Sequence, residues 1–453
     1  MKKTIRLLQK KEKGAVLLMA LFLTMLAGLL IVPVLQRAVF HHNDAFREQN
    51  YISALHIAEA GIEEAIWQLT HADQDEEWEG WDTSNPDMYK LDKIDFKDFQ
   101  GNALGEYEVY VVDPLGESDL IGIGALGAQV PFNIQFTGQP TLYCVAGVPD
   151  IDSVGSEVRV IQVGTDEKSA FSLGLFSDDD LEMGGTSNVD SFDSRVGFYG
   201  VNGNVNSNGD AGSNGDILLS GTPIIDGDAA AGGNVVVGNN ATITGDVQGG
   251  MTHIDLPPVN DLVAAAKVNN NNNEIPDAIK SNGQTSSAYN SGNQTLNVAA
   301  GATLTLPGGT VDNPKVYYFS SSQLNGNSKI ELDGYAIIFT DGDLTWNGGT
   351  VVNNGGFGPP EKLLIMSSGL MDKEIKINGG AGFAGAIYAP SSQLKLTGGG
   401  DVYGAAVAGK IDVIGNGAFH YDEALGGTGI SLGFKISEWV EKPRTWDYAE
   451  ASP

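Results

Sequence analysis

Asp178, Asp179, Asp180, Asp190 and Asp193 crowd one stretch of this chain, with Arg195 close behind. Carboxylates grouped beside a cation along one sheet could cleave a polysaccharide by general acid and base steps, often with calcium. Asp190 and Asp193 sit three positions apart in "VDSFDSR". A strand through them would send their side chains to opposite faces, so the stretch reads as an acidic loop. Asp341 and Asp343 in "TDGDLT" offer hard oxygens suited to calcium, yet they fit a turn better. Ser177 and Ser367 lack the context of a nucleophile, and the 6 histidines have no ligand spacing. Cys144, in "LYCVAG", is the one cysteine and reads as a small buried residue. No nucleotide loop, zinc spacing or triad is present, so neither cofactor nor metal is expected and the chain reads as non-enzymatic.

Bulk properties narrow the partners. At 453 residues the chain has room for two or three domains. A net charge of -31 repels nucleic acid and anionic membrane surfaces. The cations are uneven: Lys2, Lys3, Arg6, Lys10, Lys11 and Lys13 precede an apolar run, and most of the excess acid follows it.

That run extends from Ala15 to Leu35, interrupted by Thr24, Gly28 and Pro33. As a helix it matches a hydrocarbon core of roughly 30 Å. The following residues carry no convincing small-x-small cleavage site, and the lysine flank marks the cytoplasmic side. Beyond it, Leu55, Ala58, Ile62, Ala65 and Leu69 recur at steps of three and four, an amphipathic pattern. Span and amphipathic segment therefore form one stem helix over 15–71, with Pro33 removing a donor and kinking or loosening it.

A basic leader ending in glycine, followed by an apolar helix and an amphipathic stem, resembles type IV pilins and type II secretion pseudopilins. More closely, "KGAVLLMALFLTMLAGLL" and "ALHIAEAGIEEAIWQL" resemble the start of PilX-type pilus-assembly proteins. Their A-E-A-G-[IL]-E-x-A stretch corresponds to Ala58, Glu59, Ala60, Gly61, Ile62, Glu63, Glu64 and Ala65. The resemblance covers roughly the first 70 residues and implies that a prepilin peptidase cuts between Gly14 and Ala15, releasing a leader of residues 1–14. It also implies N-terminal methylation and stem contacts with other pilins, for which Leu17, Leu21, Leu26, Leu30 and Val34 are candidates. One departure matters: pilins of this kind carry glutamate at the fifth mature position, where this chain has Met19. In the family that carboxylate is thought to neutralise a neighbour's N-terminal ammonium.

The remaining chain reads as mainly β, giving an α+β molecule. "GEYEVYVVD" alternates as a half-buried strand does, with "FNIQF" and "EVRVIQV" as further candidates, so 72–168 is expected to form a small β-rich domain. The acidic "ADQDEEWEGWDTSNPD" reads as a loop at the stem's end. From Ser169, β-branched runs alternate with Gly, Asn and Asp. "FAGAIYAPSSQLKLTGGG" from Phe383 and "VYGAAVAGKIDVIGNGA" from Val402 align with offsets of nineteen, then seventeen, residues. A repeat near twenty with such corners fits a right-handed parallel β-solenoid over 169–425, with an antiparallel sandwich as the alternative. The asparagine-rich stretch 264–294 reads as an exposed loop, and 426–453 as a strand and cap. "GLFSDDDLEMGGTSNVDSFDS" and "FAGAIYAP…GAFHYDEAL" also resemble an uncharacterised domain that often follows PilX-type stems.

Three functions fit. The first is a minor pilin or pseudopilin-like component at a filament tip, presenting the β domain for assembly or adhesion. The others are a membrane-anchored adhesin that never polymerises and a tethered polysaccharide-active enzyme. The first is favoured, in a single-pass protein of the bacterial cytoplasmic membrane with its N-terminus inside and its head exported. Its expected partners are other pilins, the prepilin peptidase, the inner membrane and an unknown surface ligand.

Overall fold

The computed structural model describes residues 2–71, 78, 80–85, 88–112, 140–311, 313–349, 351–353, 358–427 and 430–442. The candidate strand "FNIQF" therefore lies outside the described residues. Helix α1 (Lys2–His71) is continuous for 70 residues, about 105 Å at a rise of 1.5 Å per residue. Pro33 lies inside it, and the expected leader forms its first turns rather than a separate segment.

The helix changes surroundings along its length. Every described residue from Leu17 to Gln49 is exposed, whereas Ala54, Ile57, Ala58, Ile62 and Ala65 are buried. Those residues share one stripe at helical spacing, which an antiparallel sheet covers. In spatial order the sheet contains Trp81–Asn85, Met88–Lys97, Ala103–Val112, Thr141–Val148, Glu157–Ser169 and Ser431–Lys442. The inward residues Tyr107, Val109, Leu142, Cys144, Ile161 and Val163 meet the stem.

Two expectations are corrected here. Trp81–Asn85 is a strand rather than part of the acidic loop, paired with Met88–Lys97. The C-terminal strand returns to the first sheet and pairs antiparallel with Glu157–Ser169, while Ile430 and Leu432 at its start pack against the core of the second β region. Gly433 explains the fit: its positive φ of 98° carries the strand past α1, and an added Cβ would lie 2.5 Å from Thr70 Cγ2.

The second β region, from Leu175 to Asp422, consists mainly of parallel ladders. The hairpin sandwich fits only Ala278–Lys280, Thr285–Ser286 and Tyr289–Asn290, which pair antiparallel. Phe383 pairs with Val402 and Ala389 with Ala408, an offset of nineteen; Leu394 pairs with Ile411 and Leu396 with Val413, an offset of seventeen. The two aligned sequence copies are thus direct neighbours, and a register shift between Ala389 and Gln393 absorbs the difference. Between Ala211 and Gly249 the step is eighteen, since Ala211 pairs with Ala229 and Ala229 with Val247. Lys315, by contrast, pairs with Ala336 at a step of 21, Ala336 with Leu363 at 27 and Leu344 with Ile375 at 31.

Chain order and spatial order differ. Leu175–Ser177, Leu181–Gly185 and Asn188–Phe192 pair on one side with Ala211–Ser213, Ile217–Leu219 and Ile224–Ile225. On the other side they pair with the late strands Asp401–Gly415 and Ala418–Asp422. The first repeat therefore lies in the middle of the ladders.

The asparagine-rich stretch is folded, against expectation. It contains helix α2 (Asn260–Val268), a 3-10 turn at Asn272–Glu274 and short strands. Asparagine side chains substitute for a neighbouring strand. Asn271 Oδ1 accepts from Val316 N at 3.1 Å, and Asn272 Oδ1 accepts from Tyr318 N at 3.1 Å. Asn272 Nδ2 donates to Tyr318 O at 2.6 Å. A carboxamide carries both a donor and an acceptor, so it can mimic a peptide group.

Candidate functional site

Two places gather the residues with chemical potential: the stem and the seam between the first and last repeats. On the stem, Gly14 and Ala15 occupy helical backbone. Leu17, Met19, Leu21, Leu26, Leu30 and Val34 are all exposed. Thr24 donates to Leu21 O at 2.9 Å, which satisfies its hydroxyl within the helix. The surface is a long apolar cylinder that water cannot solvate favourably.

The "AEAGIEEA" motif works by packing. Gly61 lies where α1 presses tightly on the sheet: a Cβ there would sit 2.7 Å from Cys144 Sγ and 2.9 Å from Tyr107 Cδ2. Ala58 and Ala65 are fully buried, Ala60 is half-buried, and Glu63 is exposed. The Glu59 carboxylate pairs with His56 Nδ1 at 3.0 Å. Glu64, which the sequence reading left without a role, accepts from Tyr107 OH at 2.5 Å. Burial and this carboxylate push the Tyr107 phenol upward, and burial pushes the Cys144 thiol upward. Cys144 is therefore a packed hydrophobe rather than a reactive thiolate.

At the seam, carboxylates fasten rather than converge. Asp190, on Asn188–Phe192, pairs with His420 Nδ1 at 2.5 Å. Tyr199 OH donates to its other oxygen at 2.7 Å, and the Tyr199 ring lies 3.8 Å from the imidazole. Asp193 follows the strand's end and receives both Nε and Nη2 of Arg195 at 2.8 Å. The Arg195 guanidinium lowers the Asp193 carboxyl through these bonds. Glu423 Oε1 accepts from Ser191 Oγ at 2.8 Å and from Asn206 and Asn208 at 3.0 Å. Asp422 is fully buried and accepts from Ser194 N at 2.9 Å, and burial raises its carboxyl.

The remaining candidates are scattered. Asp178 accepts from Asn214, and Asp180 accepts from Asp216 N. Tyr318 and Lys267 hold Asp341, whereas Asp343 accepts from Glu374 N. Ser177 donates to Asp179 O, and Ser367 bonds to Ser392. Among the described residues no three His, Cys, Asp or Glu side chains are placed to hold a metal.

Residues 238–428 match a domain of unknown function, DUF7305. That span is less than half of the chain. No curated protein matches it. Among solved structures, the competence-associated pilin ComZ from Thermus thermophilus aligns at 11% identity and a TM-score of 0.32, covering 86% of this chain and 97% of its own.

A sequence signal was available for one missed feature. Asp210, Asp228 and Asp246 recur every eighteen residues, each after glycine. Asp210 Oδ1 accepts from Asp228 N at 2.8 Å, and Asp228 Oδ1 from Asp246 N at 2.7 Å. The carboxylates form a rail along one corner of the ladders.

Proposed function

We propose that this chain is a non-enzymatic, minor pilin-like component of a type IV pilus or related secretion filament, with its β region presented outside the cell as a β-solenoid. The observation that carries the reading is the division of α1. Its apolar half is bare over a length suited to a bilayer or to a bundle of like helices, while its second half is packed beneath a sheet. A plain anchor needs the bare half only; a stem that also forms part of the head's core transmits the head's position to whatever packs around it.

The parallel ladders, some of them at steps of seventeen to nineteen, support the solenoid. The non-enzymatic reading is supported by the seam, where Asp190, Asp193 and Glu423 are committed to internal partners. The leader and "AEAGIEEA" resemblance supports processing after Gly14 by a prepilin peptidase and entry of the stem among other pilins. Shearing filaments from cells and sequencing the chain's N-terminus tests this. The expected product begins at Ala15 and is found with the filaments. A chain beginning at Met1 and confined to membranes would overturn the proposal.

A further inference from the structure

The three parallel ladders end together at Val235–Val237, Thr242–Ile243 and Val247–Gly249. These strands pair on one side only, with Ile217–Leu219, Ile224–Ile225 and Ala229–Ala231. Among the described residues no strand lies on their other side. The opposite end is dressed differently: Ala278–Lys280 and Tyr289–Asn290 lie antiparallel against its strands.

We infer that this bare end is a docking site for an extended, lysine- or arginine-bearing strand of another protein. The inference goes beyond the filament reading and does not depend on it. Its first support is the core itself, which is cut open here. Leu219 is 3% exposed, but its ladder partner Val237 is 44% exposed. Ala229 is 1% exposed, but its partner Val247 is 54% exposed. Equivalent positions one repeat earlier are sealed by the repeat that follows them. The last repeat has no such cover, so an added strand would bury apolar side chains and satisfy main-chain groups together.

The second support is charge. No lysine or arginine occurs between Arg195 and Lys267, while Asp210, Asp216, Asp226, Asp228, Asp246, Asp255 and Asp261 fall in that interval. The corner rail ends at Asp246, the next acceptor in the row that Asp210 and Asp228 begin. A strand continuing the ladder would bring its N–H to that carboxylate and its cations to the neighbouring ones. A second copy of this chain would instead set rail against rail, and like charges disfavour that pairing.

Fluorescence anisotropy with the full chain in detergent tests the inference. The probes are two labelled peptides copying residues 229–246, one with Asn239, Asn240 and Asp246 replaced by lysine, the other with aspartate at all three positions. The lysine peptide is expected to bind about tenfold or more tightly than the aspartate peptide. The difference should shrink at about 1 M salt, where the screening length is about 3 Å. Val237→Glu with Val247→Glu should abolish binding without changing the melting temperature, because both side chains are already exposed; Val268→Glu, on α2, should leave binding intact. Equal binding of the two peptides, no binding of either, or binding undiminished by the double substitution would overturn the inference. So would sedimentation showing that wild-type copies pair through this end and that Val247→Glu separates them.

Discussion

Gly61 carries more structural weight than any charged residue of its motif. Adding a methyl group there improves helix propensity by about 1 kcal/mol, but the new Cβ meets Cys144 Sγ, Tyr107 and Val109. Overpacking a tight contact costs roughly 1–3 kcal/mol, so Gly61→Ala should lower the melting temperature of the full chain in detergent. Cys144→Ala vacates the nearest atom, so the double variant should regain part of the loss in a mutant cycle. A separate prediction concerns Asp422. Burial raises its folded carboxyl above the ordinary Asp value, so the folded chain keeps a proton that the unfolded chain has released. The resulting stability is present below the ordinary value and is lost as pH rises through the raised one. Asp422→Asn keeps an oxygen for Ser194 and Ala424. It should make the decline in melting temperature above the ordinary Asp range, about pH 4, shallower. At this scale the sequence was legible where a rule is local, as with the small residues of the stem motif. Pairings such as Asp190 with His420 join residues 230 apart and left no local mark.

Elements were legible in proportion to their periodicity. The stem shows an apolar run followed by a 3.6-residue pattern from Leu55 to Leu69, and the two form a single helix. The copies at Phe383 and Val402 repeat one another closely enough to give their register. The asparagine tract misled because composition reports polarity, whereas Asn271 and Asn272 use that polarity to imitate a strand edge. The final strand was legible as a strand but not in its partner, because adjacency in sequence pointed to the second β region while the edge of Glu157–Ser169 supplies its ladder. This gives an element-scale prediction. Ending the chain after Gly427 removes the strand against Glu157–Ser169 and the contact at Thr70, so the first sheet should become protease-sensitive while the parallel ladders stay resistant. Limited proteolysis reads this directly, and equal resistance of both regions would refute it. Charge at Leu26 acts on the other half of α1. It lies about 42 Å along the helix from Ala54, the first buried residue of the stem among those described. Under the pilin-like reading, Leu26→Glu should therefore abolish filament incorporation and leave the head's thermal transition unchanged.

For the whole molecule, the proposed pilin-like role would tie copy number to size and charge together. The head comprises residues 72–453, far more chain than its stem, and in a bundle of such stems its two β regions would both lie outside. Repeating such a head at every position of a closely packed helix would crowd the filament surface. Met19 adds an electrostatic limit under the pilin-like reading. A neighbour's ammonium that meets methionine instead of a carboxylate stays unpaired in an apolar bundle, at a cost of several kcal/mol even after relaxation. A subunit with nothing beyond it avoids that contact, so both constraints are met at a tip. Immunogold labelling of sheared filaments should mark ends only, and labelling along the shaft would sink the tip assignment. Met19→Glu separates the two constraints. It should raise incorporation if the missing carboxylate dominates and leave it unchanged if the head's bulk does. In either case the label should stay sparse, because the substitution does nothing to the size of the head.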